Sequence, residues 1–344
     1  MVHGTAVDPP VQDQDLPSTS WEVLAGLRFF LAWVVACGHL MWFVPNQTTF
    51  LEFFNSFGGK AAVIGFLLVS GYSIAASLHR DARNFYKRRF LRVYPLYFFA
   101  VMSALLLELW FSGEMHVAHH DFVSNGWLAD IGNFFLVQTF LVKPIAFDTV
   151  VWSLGIECFY YLLAPLFLKL KPKYLILLIA ISSLSYLLPK DAQLGTIYFV
   201  FTKLNALQYL WPWLMGFICF KHRSPLLLFT FSLLGIALVK LNPAVGAENL
   251  VVFTYLLSFS LLIYSAYLKP PKALLTVLTY LGDLSYPLYL FQIPCFMVGY
   301  SFFQLRDPFF LLLFSLLISS MAYHAIDVHL KRTLITPIVN RVLA

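Results

Sequence analysis

Between Trp21 and Phe43 the chain reads WEVLAGLRFFLAWVVACGHLMWF, apolar enough to cross a bilayer yet carrying a guanidinium at Arg28 and an imidazole at His39. Eleven helical steps of about 100° bring the two to within about 20° of each other, so they share one face, about 16 Å apart along the axis. Charge inside a bilayer is costly to hold, so an arginine and a histidine on one buried stripe mark a candidate functional site. The chemistry on offer is a fixed cation near one membrane surface and a proton acceptor near the other. The plain alternative is an arginine that snorkels to the interface and a histidine that bonds a neighbouring helix.

Two further features bear on that stripe. In KRRFLR, Arg89 and Arg92 stand three apart, with Arg88 beside them as a third candidate for binding the phosphates of a ligand. On a helix Arg89 and Arg92 share a face and can converge on a phosphate, although basic runs beside a membrane also contact lipid headgroups. The anion inside the fourth apolar crossing is Glu157, in VWSLGIECFYYLLAPL, some seven residues below the outer end of its helix. That places it about 10 Å deep, level with His39. A carboxylate on one imidazole nitrogen fixes the tautomer and raises the basicity of the other, so the depths predict a His39–Glu157 pair. The competing arrangement has Glu157 paired with Arg28, Lys203 or a backbone donor.

Other polar groups carry less. The segment EMHVAHHD holds His116, His119, His120 and Asp121, but no second ligand cluster, so it reads as a solvated loop facing an acceptor and no metal is expected. Cys37, Cys158, Cys219 and Cys295 all lie inside apolar runs and read as small core residues, outside any disulfide framework. Lys203, Asn205 and Gln208 either line a cavity or bond between helices, and the groups Asp283, Ser285, Tyr286 and His324, Asp327 fit interfacial polarity.

The elements that must hold these groups follow from composition. Of 344 residues, 60% are hydrophobic and 12% charged, with mean hydropathy +0.77, which leaves too little polar surface to coat a soluble globule. The fold class is therefore all-α, a polytopic membrane protein. Runs at 21–43, 61–79, 93–111, 150–168, 174–189, 197–220, 225–241, 249–268, 274–302 and 308–329 give about ten transmembrane helices.

Lysines and arginines fix the orientation. Arg80 to Arg92 crowd one connection, and strict alternation then puts sixteen Lys and Arg on the inner loops and five on the outer ones. The net charge of +6 is thus a membrane topology signal and excludes nucleic acid as a partner. A full crossing by 129–142 would invert every later loop, so that segment is expected to be re-entrant or interfacial on the outer side. Residues 1–20, rich in Pro, Asp and Gln, read as a disordered cytoplasmic tail, 21–330 as one membrane domain and 331–344 as a short cytoplasmic tail. The protein is then expected to span the cell membrane with both termini cytoplasmic.

Five stretches, in order over about 20–330, resemble the acyltransferase 3 family of integral membrane O-acyltransferases. They are LRFFLAWVVACGHL with its Arg, ten residues, His spacing, FLLVSGYSIAASL at 67–79, KRRFLRVYPLYFF at 87–99, WSLGIECFYYLLAPL at 152–166 and LGDLSYPLYLFQIP at 281–294. The sequence departs from the family pattern at Gln292, where many relatives have a histidine, and at AIDVH, 325–329, where an IExP-like ending is common.

The resemblance implies transfer of an acyl group, usually acetyl, from cytoplasmic acyl-CoA to a hydroxyl of an extracytoplasmic acceptor, commonly a carbohydrate. It implies that His39 is catalytic with Arg28 as its partner, that Arg89 and Arg92 handle the CoA phosphates, and that Glu157 is the glutamate of the fourth-helix motif. Acyl-CoA, a hydroxyl acceptor and membrane lipid are then the partners, with no permanently bound cofactor. His39 would either deprotonate the acceptor or carry the acyl group as a covalent relay. On composition alone a secondary transporter exporting a sugar or small molecule fits as well, but such folds show paired halves, and no internal repeat is evident.

Overall fold

Ser20 accepts a hydrogen bond from the Val23 N–H and so starts the first apolar run as a helix, α1 (Trp21–Leu40). This computed structural model describes residues 20–44, 48–188, 205–242, 244–246 and 248–342. After α1 come α2 (Thr49–Asn55), α3 (Gly59–Arg80), α4 (Phe85–Trp110), a hairpin of β1 (Glu114–Val117) and β2 (His120–Val123), and α5 (Trp127–Phe134). A 3-10 stretch, Ala146–Val151, leads into α6 (Trp152–Lys169), followed by α7 (Pro172–Leu187), α8 (Asn205–Gln208), α9 (Leu210–Lys221), α10 (Pro225–Leu241) and α11 (Asn249–Tyr264). Then come α12 (Lys272–Ser301), α13 (Pro308–Ala322), a π-wound stretch Tyr323–Ile335 and α14 (Thr336–Val342).

Seven of the helical segments are long and apolar enough to cross a membrane, and α7, α9 and α10 are shorter apolar helices. Together they account for the ten expected runs, except that Lys203 and the start of the sixth run lie outside the described residues. The expected N-terminal tail, Ser20 apart, lies outside them too. Helix starts use the expected chemistry. Proline opens α7, α10 and α13, where a missing N–H costs nothing. Large apolar side chains such as Leu109, Leu162, Leu184 and Leu226 remain exposed on the outside of the bundle, as a lipid-facing surface requires.

Small residues set the helix contacts. A Cβ on Gly71 of α3 would lie 1.9 Å from the Trp213 carbonyl oxygen, and one on Gly216 of α9 would lie 2.0 Å from that of Leu68. The two backbones therefore touch through a reciprocal glycine pair. Between α1 and α12, Gly282 faces Ala25 and Gly26 faces Leu278 at comparable closeness. Higher up, His39 meets Gln292. Contacts that ascend together on both helices make α1 and α12 parallel, in keeping with the alternation of crossings read from the loop charges.

The segment 127–145 enters and leaves on the same side. Its tip is tied to α4, where the Tyr97 hydroxyl donates to Asn133 O at 2.5 Å and that of Tyr94 to Phe134 O at 3.2 Å. Those tyrosines lie nine and twelve residues beyond Phe85, so the tip meets α4 about 14–18 Å along the helix from its Phe85 end. The buried Asn133 joins the two limbs: its Nδ2 donates to Ala129 O and Lys143 O, and its Oδ1 accepts from Ile145 N. Beyond the turn, Gln138 Nε2 donates to Val151 O and Thr139 Oγ1 to Trp152 O. The segment is re-entrant, and its backbone polar groups are satisfied by protein where no water is on hand.

Candidate active site

His39 closes the last turn of α1 and lines a cavity of about 720 Å³. Its Nδ1 lies 3.2 Å from Gln292 Oε1, and its ring meets Trp42 edge-on at 4.6 Å. The hairpin covers this end. His120 stacks on Trp42 at 4.2 Å, and the His119 N–H donates to Trp42 O at 2.9 Å. His116 turns the other way and pairs with Asp121 across the strands at 2.8 Å. The Asp121 carboxylate raises the His116 imidazole above its ordinary value, whereas burial lowers that of His120. The triplet that reads as three possible ligands is thus divided between two faces.

Aromatic and polar groups share the cavity wall. Trp42, Trp152, Tyr209 and Tyr289 supply flat apolar surfaces, and Glu52, Lys60 and Glu248 supply charge. The Tyr289 hydroxyl is itself held by Ser153 at 2.7 Å and by Val150 O at 3.2 Å.

The basic end lies a few turns below. Arg28 is within Coulombic reach of Arg92, Asp283, Tyr161 and Glu157. Arg89 is within reach of Tyr161, Arg92, Arg88 and Glu157, and its Nη2 donates to Ser77 Oγ at 3.2 Å. It also edges a second, mainly apolar hollow of about 280 Å³, which Tyr94, Cys158, Tyr161 and Leu162 help to line. Arg92 is exposed. Three arginines from two helices thus gather near two carboxylates, and their fields overlap.

Two expected roles change with the geometry. Among the described residues the His39 ring bonds Gln292, and Glu157 does not join it; Glu157 Oε1 instead accepts from the Tyr161 hydroxyl at 2.6 Å. The depth estimate failed because the 3-10 stretch before Trp152 already belongs to the crossing. Within Ala146–Lys169, a segment of 24 residues, Glu157 is near the middle, so it faces the arginines. Glu157 thus bonds Tyr161 and lies within Coulombic reach of Arg28 and Arg89. Arg88 differs from its neighbours as well: its guanidinium is bonded to the Asp81 carboxylate and the Asp81 carbonyl, and it approaches Ser77. One helical step from Arg89 turns it toward the end of α3. The sequence reading passed over Tyr161 and assigned no role to Gln292; the signal for both was a polar side chain inside an apolar run.

The model of the acyltransferase 3 family, described as an acyltransferase domain, matches residues 22–324. The chain belongs to the acyltransferase 3 family. It is 28% identical over 303 residues, 78% of its length and 82% of the other's, to ORF330 of Acidianus two-tailed virus, whose name proposes an acetyltransferase. It is 32% identical over 158 residues to the acyltransferase MdmB of Streptomyces mycarofaciens, covering 44% of this chain and 40% of MdmB. It is 26% identical over 311 residues to the O-acetyltransferase OatA of Staphylococcus aureus, covering 77% of this chain and 50% of OatA. The match thus spans about half the length of OatA. No solved structure matches.

Membership makes the protein a membrane-bound acyltransferase and removes the transporter reading. An acyltransferase needs a site for an acyl donor and a group that prepares the acceptor. This acyltransferase carries its arginine cluster and its cavity-lining histidine on opposite ends of one helix face, α1.

Proposed function

We propose that the protein moves an acyl group, acetyl by preference, from cytoplasmic acyl-CoA to a hydroxyl of an extracytoplasmic carbohydrate. The observation that carries this reading is the division of α1 between Arg28 in a cluster of arginines and His39 at a separate cavity. Arg89, Arg92 and Arg28 hold the phosphates, because cations that repel one another with only partial neutralisation bind a polyanion strongly. Glu157 and Asp283 keep the cluster from full repulsion when the donor has left. Arg88, spent on Asp81, stands outside the phosphate set.

The pantetheine arm then runs along α1 toward His39. The two hollows have no lining residue in common, so the arm parts the side chains between them as it enters. The outer cavity suits a sugar: tryptophan and tyrosine faces for the ring, carboxylate, amide and ammonium groups for its hydroxyls. At His39 the imidazole takes the proton of the acceptor hydroxyl. The oxygen bonds to the thioester carbonyl carbon, the carbon–sulfur bond breaks, and the CoA thiolate recovers the proton from the imidazolium. The products are an ester and free CoA.

Transfer of label from acetyl-CoA to a glycan acceptor by purified protein tests this directly. His39→Ala is expected to lower the rate by about 10²–10⁴-fold, the usual contribution of a general base, with donor binding retained. Transfer by that variant at the wild-type rate would remove His39 from the mechanism.

A further inference from the structure

The amide of Gln292 bridges two partners of opposite character. Its Nε2 lies 2.8 Å from the Tyr289 carbonyl oxygen, which can only accept, so the NH₂ group must be the end that points there. Its Oε1 is then the atom 3.2 Å from His39 Nδ1, and an amide oxygen also only accepts. His39 Nδ1 therefore carries the proton. In the neutral ring this leaves the lone pair on Nε2, which bonds no partner among the described residues, while the ring itself borders the cavity.

Gln292 is fully buried on α12, within a helix that α1 contacts along its length, and the Tyr289 bond prevents a flip of the amide. We propose that Gln292 is a positioning residue for the acyl transfer: it selects the Nδ1-protonated tautomer of His39 and aims Nε2 at the acceptor hydroxyl. This rests on His39 acting as the base. Unlike a carboxylate, the amide adds no negative charge. It orients the ring without making imidazolium much more favourable, so the base stays free to accept a proton and to return it to the leaving thiolate. When Nε2 takes the proton, the Nδ1–H to Oε1 bond becomes charge-assisted and strengthens as charge develops on the ring.

Other charges facing the ring bear on any pH measurement. His120 lies on the hairpin above it, Glu52 on α2, Lys60 on α3, Tyr209 beside α9, Glu248 before α11 and Tyr289 on α12. All are unchanged in a Gln292 variant, so a shift between wild type and variant reports the substituted group.

The test compares Gln292→Leu and Gln292→Glu with wild type and with His39→Ala in purified protein, reading kcat, donor KM and the pH profile of kcat/KM. Gln292→Leu removes the acceptor oxygen, and kcat is expected to fall about 10–100-fold with donor KM unchanged, because the ring loses its tautomer preference and its aim. Gln292→Glu keeps an acceptor oxygen and adds charge. It is expected to retain more activity than the leucine variant, with the acid limb moved to higher pH by about one unit, since a carboxylate favours imidazolium. Wild-type kcat in the leucine variant, or an acid limb in the glutamate variant that stays in place, overturns the proposal. If the leucine variant fails to fold, judged by loss of the thermal shift on adding acetyl-CoA, the glutamate limb alone decides. Should His39→Ala retain activity, the catalytic reading itself fails. An inactive His39→Ala beside wild-type-like Gln292 variants sinks only the positioning role.

Discussion

Gly282 lies against Ala25 so closely that a Cβ on Gly282 would sit 2.3 Å from the Ala25 Cβ. This contact toward the N-terminal ends of α1 and α12 sets the spacing that, further along both helices, lets His39 reach Gln292 at 3.2 Å. Gly282→Leu is therefore expected to wedge the helices apart, destabilise the protein by about 1–3 kcal/mol and reduce transfer even though the residue is far from the acceptor cavity. Thermal denaturation in detergent and a transfer assay check both halves. An unchanged midpoint would show that the helices can slide to accommodate the side chain.

The arginines should separate by function. The double variant Arg89→Ala, Arg92→Ala is expected to raise donor KM by about 10–100-fold, with acceptor KM nearly constant, because charge-assisted bonds to phosphate are lost. Arg88→Ala should leave donor KM within about twofold, since its guanidinium is engaged by Asp81. Isothermal titration with CoA gives the same comparison without turnover. An Arg88 effect as large as that of the pair would move the phosphate site toward α3.

Asn133 holds the re-entrant segment through three side-chain hydrogen bonds from one buried residue, while its carbonyl accepts from the Tyr97 hydroxyl. Asn133→Leu leaves the Ala129 and Lys143 carbonyls and the Ile145 N–H without that partner inside the bundle. A loss of about 1–3 kcal/mol per stranded group is expected, enough to expose 127–145 to protease. Limited proteolysis followed by mass spectrometry locates the cut. Cleavage confined to other loops would contradict the assigned role.

The hairpin over His39 should respond to pH through His120. Burial against Trp42 lowers this imidazole below its ordinary value of 6.5 in the folded chain. The folded state then binds fewer protons than the unfolded one, so the group's contribution to stability is present above about pH 6.5 and is lost as pH falls below it. A titration of tryptophan fluorescence is expected to show a component with its midpoint under 6.5, removed in His120→Phe, because imidazolium stacked on an indole alters its emission. His116 runs the opposite way. Asp121 raises its midpoint, so its stabilisation is present at low pH and fades as pH climbs past the raised value.

Much of this protein follows from its sequence alone. Helix length, hydropathy and loop charge are local or additive properties, so the crossings and the need for 129–142 to turn back could be read without a fold. The Arg28–His39 stripe was equally legible, since helical periodicity alone puts both on one face. Tertiary structure decided what those groups touch. His39 and Gln292 are 253 residues apart in the chain, and nothing local links them. Their bond exists because Gly282 and Ala25 bring α1 and α12 into parallel contact. The place of Glu157 depended on a 3-10 entry that periodicity does not reveal, and the split between Arg88 and Arg89 depended on where Asp81 ends α3. Partners of a buried polar group are set by packing between distant helices, which hydropathy does not encode.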